Sequence, residues 1–255
     1  LLAGLLFLPL LRLRLLPRPV VPGLLGGGAL QFGVTYICLY QSFEYISVPE
    51  VLLFTIFTPL HVALIDNLLN RRFSSGPLVA AAIAVIGAGI IRYDGLSDSF
   101  IRGFLILQLA NFTFAAGQVG YAHLVRRYEL TSTQQWRGFG LFFIGALMVM
   151  LPAWLLLGNP ERLPHTALQW SVLAWLGLVA SGLGFLFWNR GAAQVDAGTL
   201  GIMNNALVPA GLLVNLLIWN HDADLLRLAA GSAVLGLSLW VNARWPHWFA
   251  RPAQG

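Results

Sequence analysis

The sequence predicts an all-α polytopic membrane bundle of two inverted five-helix repeats, ten helices in the full protein with the first one missing here. Three observations lead to that fold class. The chain of 255 residues is 58% hydrophobic and only 10% charged, where a soluble domain carries about a quarter charged residues. Its apolar residues gather into runs of roughly twenty, the length of a helix that crosses a hydrocarbon core. Displaced by about 150 residues, the chain resembles itself, as transporters built from repeats do. Hydrocarbon offers a backbone no hydrogen bonds, so spanning segments must be helices or closed barrels. The alternating ten-residue segments of a barrel do not occur in this sequence.

Taken in order, Leu1–Leu11 is apolar but short. It opens in mid-run, with neither a charged leader nor a small-residue cleavage site, and so reads as a truncated helix rather than a signal peptide. The spans expected next, bounded by Arg, Pro, Asn or Asp, are Val20–Phe43, Val48–Leu69, Gly76–Ile91, Gly103–Ala122, Gly138–Leu157, Leu168–Asn189, Ala197–Trp219 and Leu228–Val241. The self-match lays Ile46-Ser47-Val48 and the run to Thr58-Pro59 over Asp196-Ala197-Gly198 and the run to Val208-Pro209. It also pairs Val20–Phe43 with Leu168–Asn189, and Gly76–Ile91 with Leu228–Val241. Gly103–Ala122 has no counterpart in the first half, so its partner is expected before Leu1. An odd number of helices per repeat inverts the second relative to the first. The expected division is a first repeat over 1–95, a second over 100–245 and a tail over 246–255.

All 15 basic residues are arginine. With alternate loops on alternate sides, one side gathers Arg12, Arg14, Arg18, Arg71, Arg72, Arg126, Arg127, Arg137, Arg190, Arg244 and Arg251. The other holds Arg92, Arg102, Arg162 and Arg227. Cytoplasmic loops accumulate such charge, so the C-terminus is expected in the cytoplasm and the protein in the bacterial inner membrane. Arginines at helix ends do not form the basic face that nucleic acid requires, so the expected partners are a small solute and lipid.

Two five-helix halves with short loops resemble the EamA-type drug/metabolite transporters. The stretches that carry the likeness are Phe43-Glu44-Tyr45-Ile46-Ser47-Val48-Pro49 running to Pro59, and Ala192-Ala193-Gln194-Val195-Asp196-Ala197-Gly198 running to Pro209. The Gly-Glu pair usual in that family is replaced by Asn70-Arg71-Arg72 and Asn220-His221-Asp222. The resemblance implies a secondary transporter that exports an amino acid or related metabolite by alternating access, without a cofactor. A channel-like or structural membrane protein is the alternative, and an intramembrane enzyme comes third.

Little in the sequence favours catalysis. It holds no His-Glu-x-x-His pattern, P-loop or G-x-S-x-G elbow. Ser181-Gly182 matches an intramembrane protease in two residues only, and lone Cys38 reads as a small buried hydrophobe. Polar residues at membrane depth are more informative, because each is costly in lipid and so faces a cavity or another helix. Gln108, Asn111, Ala115 and Gln118 recur by threes and fours, one stripe that either lines a path or forms a hydrogen-bonded seam between helices. Asn204 and Asn205 precede Pro209, which kinks its helix, and the repeat sets them against Phe54-Thr55 before Pro59. Thr55 and Tyr36 join them as substrate-binding candidates, with Gln31, Thr35 and Tyr40 on the helix of Tyr36. His61, Asp66 and Trp188 are candidates for coupling or gating, while Trp188-Asn189-Arg190 reads first as an interfacial anchor and second as a cytoplasmic gate or anion contact, and Glu44 and Glu50 read as solvated rim residues.

Overall fold

The structure, a computed structural model, describes residues 1–71, 73–92, 100–159, 163–214, 217 and 225–248. Arg72, Arg162, Arg251, the Asn220-His221-Asp222 turn and residues 249–255 of the expected tail lie outside them. Helices occupy nearly all the described residues, and no strand occurs among these. They are α1 (Leu2–Phe7), α2 (Val20–Ser42), α3 (Val48–Phe54), α4 (Thr58–Leu69), α5 (Ser75–Arg92), α6 (Phe100–Arg127), α7 (Ser132–Leu157), α8 (Ala167–Ala192), α9 (Ala197–Asn205), α10 (Leu207–Val214) and α11 (Leu225–Trp248).

Among the described residues, five stretches are long and apolar enough to cross a membrane: α2, Glu50–Leu69, α6, α7 and α8. In α8 only 11% of the apolar window is buried, so nearly every face presents hydrocarbon-compatible side chains outward. That surface suits a lipid solvent.

Local chemistry sets the helix limits. α3 begins where the Ser47 backbone N–H and hydroxyl both donate to Glu50 Oε2, at 2.8 and 2.7 Å. Glu50 is therefore buried, at 6% exposure, and not the solvated rim acid expected from its position. α9 begins at Asp196, whose carboxylate accepts the Thr199 N–H at 3.0 Å. Each bond satisfies a donor that a helix start otherwise leaves orphaned. Between α3 and α4, Pro59 supplies no N–H and the chain tightens into a 3₁₀ turn, Thr55–Phe57. Two helices loosen instead: α2 is π-helical over Ala29–Val34 and α8 over Leu176–Gly184.

The chain forms two compact units, Leu1–Tyr40 with Ala116–Gln194, and Gln41–Ala115 with Val195–Gly255. Compactness and the expected repeats divide the chain along different lines, for each unit draws on both 1–95 and 100–245. The core of the first unit is aromatic, with Phe7, Phe32, Tyr121, Phe139, Phe142 and Phe143 buried around Val20, Leu24 and Leu186. There α2 meets α7 backbone to backbone: a Cβ on Gly28 would strike the Phe142 carbonyl, and one on Gly145 the Leu25 carbonyl. Only glycine permits that approach, which membrane helices use for contact in place of a hydrophobic driving force. In the second unit α5 packs along α11, and α9 lies against α4 and α5. Ala80, Ala84, Ile202 and Leu235 form one buried cluster there.

Candidate substrate site

The first unit buries three amides. Gln31, Gln118 and Asn189 are each at 0% exposure. Gln31 sits in the π-helical part of α2, opposite Gly117 of α6, where any side chain would collide with the Gln31 Cβ. The indole N–H of Trp188 donates to Gln118 Oε1 at 2.9 Å, and Asn189 Nδ2 donates to the Phe185 carbonyl at 2.9 Å. Both Gln31 polar atoms, Gln118 Nε2 and Asn189 Oδ1 have no hydrogen-bond partner among the described residues. Phe32 packs on Phe185 with ring centroids 4.6 Å apart, so apolar aromatic surface borders these groups. Tyr36 is half-buried and stacks on Tyr40 at 6.1 Å.

A buried polar group without a partner costs about 1–3 kcal/mol, and proteins leave few of them. Four such atoms occur in the first unit, on α2, α6 and α8. Amides offer donors and acceptors but no charge, so these groups can bond a neutral polar partner that itself both donates and accepts. The described residues contain no cluster of His, Cys, Asp or Glu able to hold a metal.

In the second unit the predicted residues bond mainly to the protein. The Thr58 N–H turns back to Thr55 in the 3₁₀ segment. The Phe54 carbonyl instead accepts Asn111 Nδ2 at 2.9 Å and Gln108 Nε2 at 3.2 Å. Gln108 Oε1 lies 2.9 Å from His61 Nε2, so a side-chain chain joins His61, Gln108 and Asn111 to the break before Pro59. Asn205, 2% exposed, donates to the Ile56 carbonyl at 2.9 Å and to that of Ala84 at 3.3 Å. Neighbouring Asn204 turns away and bonds the Leu200 carbonyl of its own helix. Thr55 bonds the Leu52 carbonyl at 2.9 Å, and half-buried Asp66 stands at the far end of α4, where its backbone carbonyl accepts Asn70 Nδ2.

Gln108, Asn111, His61, Thr55 and Asn205 therefore gather around one helix break. Gln118, Trp188 and Tyr36 belong to the first unit. Sequence reading named Gln31 only as part of a stripe, and Asn189 only with Trp188 and Arg190 as an anchor or, second, a gate or anion contact. Their signal lay in buried polar atoms with no partner among the described residues, which no spacing reveals.

No family model matches the chain. It is 62% identical over 242 residues to a protein of Pseudomonas aeruginosa named "Probable biotin transporter", covering 95% of this chain and 84% of that one. It is 48% identical over 245 residues to the "Biotin transporter" of Escherichia coli K12, covering 96% and 81%. The Salmonella typhimurium protein of that name is 49% identical over the same length, with the same coverage. A crystal structure of a protein superposes with a TM-score of 0.75 at 17% identity, covering 98% of this chain and 86% of that one, and supports the helical fold alone. These relatives overturn the EamA-type assignment, because they carry the name of biotin transporters over almost the whole chain. The stretches behind that likeness are short and rich in small residues. Any closely packed membrane helices select such residues, so they do not identify a family.

Proposed function

The chain belongs to the biotin transporter family, and from that premise we propose that biotin is its substrate, held in the first unit by Gln31, Gln118 and Asn189. It is a membrane transporter of a small metabolite rather than an enzyme. The observation that carries the site is the set of unpaired buried atoms on these residues. Biotin ends in a cyclic urea, with two N–H donors beside one carbonyl acceptor. Gln31 Oε1 and Asn189 Oδ1 would accept from the ring N–H groups, and the NH₂ groups of Gln31 and Gln118 would donate to its carbonyl. Trp188 orients Gln118, and the rings of Tyr36 and Phe32 would contact the apolar body. This replaces the amino acid and the export that the earlier resemblance implied.

The mechanism we favour is alternating access between two inverted repeats in the cytoplasmic membrane, with the C-terminus inside. Corresponding features about 150 residues apart support it: the π-helical segments of α2 and α8, the capped starts at Ser47 and Asp196, and Pro59 and Pro209. Gln108, Asn111, Thr55, Asn204 and Asn205 would brace the helix break about which one half moves. His61, bonded to Gln108 at that break, and Asp66 farther along α4 would be the groups that carry a coupled proton. The sequence has no P-loop, so the driving force would be the solute gradient or a coupled ion.

The test is uptake of labelled biotin into proteoliposomes holding the full-length protein. Saturable uptake that Gln31→Met abolishes, with the protein still inserted, supports the reading. Saturable uptake unaffected by Gln31→Met and Asn189→Leu would remove the site, and uptake no faster than in empty vesicles would remove the function.

A further inference from the structure

A cavity of about 370 Å³ in the first unit is lined by Leu10, Ser132, Thr133, Trp136 and Arg137. Arg190 reaches two of the lining residues: its Nη2 donates to Ser132 Oγ at 2.6 Å, and its guanidinium lies 5.7 Å from the centre of the Trp136 ring. Arg137 gives one N–H to the Leu10 carbonyl at 3.4 Å, while its own carbonyl accepts the Arg12 N–H at 3.1 Å. Both arginines are half-buried and so partly stripped of water. A guanidinium has five donors, and each uses one in these bonds. Neither has a carboxylate partner among the described residues. Two cations beside one cavity repel each other and attract an anion, which each fork can grip with paired bonds.

We infer that this cavity takes the carboxylate of the transported solute, with Arg137 and Arg190 as its anion contacts. The inference rests on the biotin reading, since biotin carries a carboxylate on a flexible chain away from its urea ring. Continuity of the chain favours the solute over a lipid phosphate. Trp188, which orients Gln118, and buried Asn189 directly precede Arg190, so the amide group and this arginine draw on one turn of α8. Trp136 and Phe187 meet edge to face at 6.0 Å and fix the wall between Arg190 and the helix it leaves.

The experiment compares biotin with its neutral amide as competitors of labelled biotin uptake in proteoliposomes. Wild type should prefer the acid by about tenfold or more, the usual worth of a charge-assisted bond. In Arg137→Gln/Arg190→Gln the acid should lose that advantage, with KM for biotin raised about tenfold and inhibition by the amide unchanged. Arg137→Lys/Arg190→Lys should restore part of the preference, which separates lost charge from misfolding. An acid-to-amide ratio identical in wild type and the Gln variant would overturn the inference while leaving biotin transport standing. So would a defect that follows the anionic lipid content of the vesicles and not the competitor, since the cavity would then hold a headgroup. Wild-type vesicles without saturable biotin uptake would overturn the function and this inference together.

Discussion

Trp188 holds Gln118 in one rotation: its indole N–H ends 2.9 Å from Gln118 Oε1. An indole nitrogen only donates, so the atom facing it must be the amide oxygen. The Gln118 NH₂ is thereby directed away from Trp188, and it is this nitrogen that has no partner among the described residues. A residue that sequence reading assigned to gating or to the membrane interface thus sets the direction of a buried donor.

Trp188→Phe keeps the aromatic bulk and removes that bond. A neutral hydrogen bond is worth about 0.5–1.5 kcal/mol, so KM for the solute should rise about three- to tenfold at nearly constant protein yield. An unchanged KM would show that Gln118 needs no orientation.

Gln31→Met should separate function from stability. It removes two unpaired buried polar atoms and puts a flexible apolar chain in their place. In a purely structural position this raises the unfolding temperature or leaves it unchanged, because a desolvation cost of about 1–3 kcal/mol disappears. Transport should nevertheless fall at least tenfold. A less stable variant would mean that the Gln31 amide is bonded in the folded protein.

Asn111→Leu acts in the second unit and in the opposite direction. The Phe54 carbonyl, bypassed by the 3₁₀ turn, loses its shorter bond, and the variant should lose about 1–3 kcal/mol of stability. Asn111→Asp would keep the shape but set a carboxylate against that carbonyl, and should be worse. Thermal unfolding in detergent measures both.

Asp196 gives a pH dependence of known sign. Burial acts to raise its carboxyl, but hydrogen bonds from Thr199 and Asn242 and from the Thr199 backbone outweigh burial and hold it below the usual carboxylate range. A carboxyl lowered by folding stabilises the protein above its ordinary value of about 3.9 and loses that contribution as pH falls through the lowered one. Asp196→Asn keeps a good helix cap without the charge. The variant's unfolding temperature should therefore fall less than that of wild type below about pH 4. Parallel curves would remove Asp196 as the source.

The helices were readable from sequence because lipid imposes a simple rule, long apolar runs bounded by polar residues. The break before Pro59 was also readable, since a missing N–H has a local consequence. Pairings were not. Nothing in the spacing joins Trp188 to Gln118, or Asn205 to the Ile56 carbonyl, because such bonds depend on which helix faces meet. Asn204 and Asn205 show the limit most simply: neighbours on a helix point about 100° apart, so only one of them reaches Ile56 and Ala84. The family likeness failed for a related reason, its small residues reporting close packing such as that of Gly28 and Gly145 rather than descent.

The π-helical turns in α2 and α8 carry a mechanical consequence. A π turn houses one residue more than an α turn, and such a bulge can be passed along a helix. Moving it past a given residue turns that residue by about 100° and slides it by about 1.5 Å. Gln31 lies inside one of these segments. A bulge passed beyond Gln31 would swing its amide out of the buried position by a local change of winding, a one-residue step that the proposed mechanism could use without moving either end of α2.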